Sequence, residues 1–154
     1  MFKTNEMFGD FSLYPLDWKA ILVAIICGLI IGFERQWQGK TAGIRTSILI
    51  CLSAYIFVTV GQMVQPEAGA ARVVGQIVTG VGFLGAGVIL ARDGLIRGVT
   101  SASVIWVLAA IGSLIGLGKL FPALVLAVIT VLILTGMTLV EKFVKKLKRG
   151  VHRE

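Results

Sequence analysis

Histidine is nearly missing from this chain: His152, third from the end, is the single one. Ser-His-Asp catalysis and His-based metal clusters are therefore out of reach. Cysteine is limited to Cys27 and Cys51, both inside long apolar runs. Such thiols pack as small hydrophobes and form neither a disulfide framework nor a zinc site. Charge is scarce as well. Charged residues make up 15% of the 154, where a soluble domain carries roughly 25%. A chain that is 56% hydrophobic, with 19 glycines besides, has too little polar surface to cover a core in water. It is a membrane protein. Intrinsic disorder and any sizeable soluble catalytic domain are excluded by the same shortage.

The charge that is present is net positive, +7, but it lies in short connectors and at one end rather than on a basic face, so no nucleic-acid partner is expected. Uncharged runs occupy residues 20–33, 46–66, 73–91, 98–118 and 120–140. Four of them hold 19 to 21 residues, enough for a helix to cross a bilayer, which takes roughly 20. The first holds 14 and spans only if it extends backward past Lys19 and Trp18, or forward through Glu34 and Arg35. Gly116, Gly118, Lys119 and Pro122 punctuate the last two runs, which reads as a tight helical hairpin or a re-entrant turn. The expected fold is an all-α membrane protein, a compact bundle of about five transmembrane helices in contact with the lipid bilayer. Five spans put eleven Lys and Arg residues on one side and four on the other. The richer side faces the cytoplasm, giving N-terminus out and C-terminus in.

Three segments follow: residues 1–19 as an N-terminal interfacial segment, 20–140 as the transmembrane domain, and 141–154 as a basic amphipathic cytoplasmic tail. The first carries Phe2, Met7, Phe8, Phe11, Leu13 and Leu16, compatible with a helix on the outer leaflet or with a frayed terminus. It has no small-x-small cleavage site and is net acidic, so no signal peptide is evident. The tail sets Phe143, Val144, Leu147 and Val151 on one helical face among lysines. It serves either as a topological anchor or as a surface helix on anionic lipid.

Two motifs imitate nucleotide chemistry. Gly39-Lys40-Thr41 resembles the end of a P-loop, but Glu34 stands where the motif needs glycine and no strand precedes it. Residues 80–85 match the dinucleotide fingerprint letter for letter inside an uncharged span, with no acidic residue about 20 positions on. Gly80, Gly82, Gly85 and Gly87 instead mark either close helix packing or local unwinding of the third span. Gly28 with Gly32 and Gly112 with Gly116 repeat the small-xxx-small spacing, which favours helix contacts within the chain or in a homodimer.

The predicted topology brings Glu34, Arg35, Arg45, Thr46, Asp93, Arg97 and Thr100 to the cytoplasmic face. Ionisable groups at a membrane boundary need partners, so Glu34 is expected to pair with Arg45 or Arg97. The cluster either locks the helices or forms a small site for an ion, a lipid headgroup or a partner protein. Glu34 and Asp93 each adjoin an arginine that repels cations, so no metal site is expected, and no cofactor either.

These residues carry a resemblance. Gly28, Gly32-Phe33-Glu34-Arg35, Ala42-Gly43-Ile44-Arg45-Thr46, the glycine run 80–87, Arg97-Gly98-Val99-Thr100-Ser101-Ala102, Trp106, Gly112, Gly116 and Gly118 resemble the MgtC/SapB family of bacterial inner-membrane proteins in order and spacing. The resemblance implies about five helices, a link to growth in low magnesium and to survival of pathogens in host cells, and regulation of other inner-membrane proteins by contact. It implies no ATPase. The chain departs in reading Val99-Thr100-Ser101-Ala102-Ser103, which keeps the hydroxyls, and is expected to be a short member without the soluble C-terminal domain. The expected function is that of a non-enzymatic regulator; the alternative is a small homo-oligomeric ion channel or transporter with a polar site at the cytoplasmic face.

Overall fold

In lipid an apolar segment has no water to satisfy its peptide groups, and a helix satisfies them within the segment. The computed structural model describes residues 14–92 and 95–151. It runs α1 (Trp18–Trp37), α2 (Ile44–Val64), α3 (Gly69–Val88), β1 (Leu90–Arg92), β2 (Leu95–Arg97), α4 (Val99–Gly116) and α5 (Leu120–Val151). All five helices are long and apolar enough to cross a membrane, α5 through Leu120–Thr138. The apolar run in α1 is too short to span, yet the helix reaches 20 residues. At its start the Asp17 carboxylate accepts the Lys19 N–H at 3.2 Å, satisfying one open donor of the first turn. At its end Glu34 and Arg35 stay inside the helix because they neutralise each other.

Glycines set how closely the helices lie. A β-carbon at Gly28 would stand 2.5 Å from Ile48 Cα, and one at Gly32 would stand 2.6 Å from Ile44 Cα. The α1 and α2 backbones therefore touch. Gly112 meets the Cys51 carbonyl and Gly116 meets Val58 in the same manner, so α4 presses on the other side of α2. Helix α2 is the hub, lying against α1, α3 and α4, while α5 covers α1 and α4. The core between them is built from Ala24, Cys27, Ile31, Cys51, Leu108, Ile111, Ile115, Ala123 and Ala127. Away from the Glu34 end, Tyr55 Oη accepts the Asp17 N–H at 2.8 Å and ties the start of α1 to α2.

One of two connectors differs from expectation, and the other forms as expected. Between α3 and α4 the chain forms a short antiparallel hairpin, Leu90 opposite Arg97 and Arg92 opposite Leu95, a local departure from an all-helical chain. Gly98 leaves it at φ +92, and a β-carbon there would lie 2.0 Å from the Val88 carbonyl oxygen, so no other residue fits. Between α4 and α5 the turn is tight, with Gly118 at φ +75; α4 and α5 form a helical hairpin. The third span is one continuous helix. Helix α5 continues to Val151, so the backbone of the basic tail extends the last span for most of its length. Most of the N-terminal segment, residues 1–13, lies outside the described residues.

Candidate functional site

The candidate site is the end of the bundle where α1 stops and α2 and α4 begin. Helix α1 turns Glu34 and Arg35 inward, leaving them 8% and 2% exposed. The Arg35 guanidinium donates to the Glu34 carboxylate twice, Nε to Oε2 at 2.5 Å and Nη2 to Oε1 at 2.8 Å. Gln38, one turn on, donates to the same carboxylate and to Thr138 Oγ1 of α5 at 3.4 Å. One carboxylate thus collects three N–H donors. A charged pair that sheds its water is tolerated only with that degree of satisfaction. The positive charge in the last turn of α1 also lies favourably toward the carbonyl end of the helix dipole.

The expected pairing of Glu34 with Arg45 or Arg97 is not what forms. Glu34 pairs with its chain neighbour, the one cation buried with it among the described residues. Arg45 and Thr46 lie exposed on the first turn of α2, and Arg97 and Thr100 are exposed where β2 leads into α4. These four do not converge on the ion pair. Asp93 falls outside the described residues. Among those residues no group of three or more His, Cys, Asp or Glu could hold a metal ion.

Two polar atoms remain buried without a hydrogen-bond partner among the described residues, Arg35 Nη1 and Ser47 Oγ. Ser47 packs at 3.0 Å from the position a Gly32 β-carbon would take, one turn before Arg35. Sequence reasoning missed Ser47 and Gln38. Gln38 had a signal, its i+4 spacing from Glu34, which places both on one helix face. Ser47 had none, since only the contact with Gly32 makes it interior. Gln36 was missed as well; its Oε1 accepts the Ile44 N–H at 3.3 Å and caps α2.

The glycine expectation divides. Gly28, Gly32, Gly112 and Gly116 each meet another backbone or side chain at under 3.0 Å, and Gly85 meets Ala102 at 3.6 Å. For Gly80, Gly82 and Gly87 the expectation was close packing or local unwinding; α3 is a continuous helix there, and nothing among the described residues lies within 4 Å of where their β-carbons would be. The reason is the placement of α3 at the edge, where Gly69, Val81 and Gly85 are its buried residues.

Comparison with known proteins bears on the same stretch. The MgtC family model matches residues 21–143. The chain is 42% identical over 110 residues to Protein MgtC of Salmonella typhimurium, an alignment covering 71% of this chain and 47% of that protein. It is 39% identical over 125 residues to Protein MgtC of Brucella abortus, covering 81% and 51%. It is 38% identical over 122 residues to the uncharacterized protein slr0014 of Synechocystis, covering 77% and 52%. The chain thus spans about half the length of these curated relatives. No solved structure matches it.

Proposed function

Because this chain belongs to the MgtC family, we propose that it is a non-enzymatic regulator in the bacterial inner membrane, linked to magnesium homeostasis and acting through helix contacts with membrane partners. The observation that carries this reading is the open face of α3. Gly75, Thr79, Gly82 and Ala86 follow one another three or four residues apart, and thus share a face. Gly75, Thr79 and Ala86 are exposed, and no atom stands within 4 Å of a β-carbon built at Gly75 or Gly82. Lipid tails are as apolar as leucine, so helices associate in a bilayer where small residues let their backbones approach. A second copy of the chain or another inner-membrane protein is the partner in this reading. In this reading the side richer in Lys and Arg, which holds the Glu34 end, faces the cytoplasm, and there Gln38 donates to both the Glu34 carboxylate and Thr138 and so ties α1 to α5.

A photo-crosslinking residue at Val78, beside that face, tests the proposal in cells grown at low magnesium. The expected result is a crosslinked membrane protein or second copy, lost in Gly82→Leu together with growth, while the variant folds with unchanged yield. Crosslinks and growth indifferent to Gly82→Leu would overturn it. The transporter reading draws its support from Arg35 Nη1 and Ser47 Oγ, two buried donors without partners at the α1–α2 contact; ion flux through liposomes separates the two.

A further inference from the structure

A second feature of α3 lies on a different side of the helix. Between α2 and α3 runs a groove of about 910 Å³, floored by Ala109 of α4 and walled by Leu49, Phe57, Val73, Ile77 and Leu84. Gly80 also lines it, and a β-carbon there would meet nothing within 4 Å. At one end α2 and α3 touch, Gly69 against the Gly61 carbonyl. The polar side chains at that end are Gln65, Arg72 and Gln76. Arg72 is exposed and makes no ion pair among the described residues. Glu67 shares with it a shallow crevice at the α2–α3 turn but lies beyond ion-pair distance. An arginine one turn into a membrane helix is costly without a counter-charge.

We infer that the groove holds the two acyl chains of one glycerophospholipid, with the lipid phosphate on Arg72. Three features carry this. The charge is complementary, since a guanidinium binds phosphate in a forked geometry. The length fits: Arg72 to Leu84 is about 18 Å at 1.5 Å per residue, near the roughly 15 Å of one leaflet's hydrocarbon. The volume fits too. At about 30 Å³ per heavy atom, the share of a liquid water, the groove takes about thirty carbons, two ordinary acyl chains. The groove and the small-residue face of α3 are separate, so both can be occupied at once.

The test is native mass spectrometry of the full chain after exchange from bacterial membrane into mild detergent, with back-addition of phosphatidylglycerol, phosphatidylethanolamine or diacylglycerol. The wild type is expected to retain one phospholipid per chain and to reject diacylglycerol. At Gly80 a β-carbon meets nothing within 4 Å, so Gly80→Phe puts a ring into the groove without a backbone clash and should cut retention about tenfold. Arg72→Gln should lose the preference for phospholipid over diacylglycerol, about tenfold, while still holding a lipid. Gly82→Phe, on another side of α3 and with its β-carbon equally free of contact, should retain lipid as the wild type does. Equal retention in wild type and Gly80→Phe overturns the inference. So does a dimer that Gly80→Phe dissolves, because a second copy would then be the occupant.

Discussion

Glutamine at position 34 would remove one charge of a pair that has almost no water around it. The carboxylate accepts from Arg35 Nε, Arg35 Nη2 and Gln38 Nε2. Glutamine offers one acceptor oxygen and an NH₂, so one guanidinium contact becomes donor against donor. Breaking a buried pair from one side costs about 3–5 kcal/mol, and the retained amide oxygen returns about 1 kcal/mol. Glu34→Gln should therefore cost about 2–4 kcal/mol. Arg35→Gln leaves the carboxylate buried with Gln38 as its remaining donor and should cost a similar amount. The double variant carries no charge there, and its cost should fall to about 1 kcal/mol, since removing both partners of a buried pair is often nearly neutral. The coupling is then about 3 kcal/mol or more, at the top of what contacting residues show. Unfolding in mixed detergent micelles, followed by tryptophan fluorescence and helical circular dichroism, measures all four corners of the cycle. Costs that add within about 0.5 kcal/mol would refute the argument, because independent residues add in that manner.

Other expectations rest on single contacts. Gly28→Ala forces apart the α1 and α2 backbones, 2.5 Å from the new carbon, and should cost about 1–3 kcal/mol by overpacking; Gly28→Leu should abolish folded yield. Gly82→Leu meets open space and should shift the same unfolding curves by under about 0.5 kcal/mol. Gly98→Ala places a β-carbon 2.0 Å from a carbonyl oxygen at φ +92 and should lower stability by about 2 kcal/mol or more. Tyr55→Phe removes the acceptor of the Asp17 N–H and should cost about 1 kcal/mol.

Five spans were legible because uncharged runs and the thickness of a bilayer share one length scale. The short first run needed more than counting: it completes a span because Arg35 neutralises Glu34 within the helix, a pairing between neighbours that helical geometry does not normally favour. Small-xxx-small spacing identified Gly28, Gly32, Gly112 and Gly116 as candidate contact residues, and all four stand at close helix contacts. At Gly80, Gly82 and Gly87 of α3 the same chemistry gave no such contact among the described residues. Sequence spacing shows that a face is small; it does not show whether this chain or another molecule covers it. Residues 92–97 read as a connector, yet their three-residue strands are too short for any periodicity to register. The charged cluster was located by topology, but which cation turns inward depends on side-chain burial, and there Arg45 and Arg97 stay outside.

The central claim is that the Glu34 end of the bundle holds helices together and conducts nothing. Reconstitution of the wild type and Glu34→Gln in liposomes, with magnesium, potassium, protons and small anions offered in turn, tests it most directly. The account predicts no flux of any of them from protein shown by circular dichroism to be folded and inserted. Flux through the wild type that disappears with Glu34→Gln would contradict it and make the ion pair part of a permeation path.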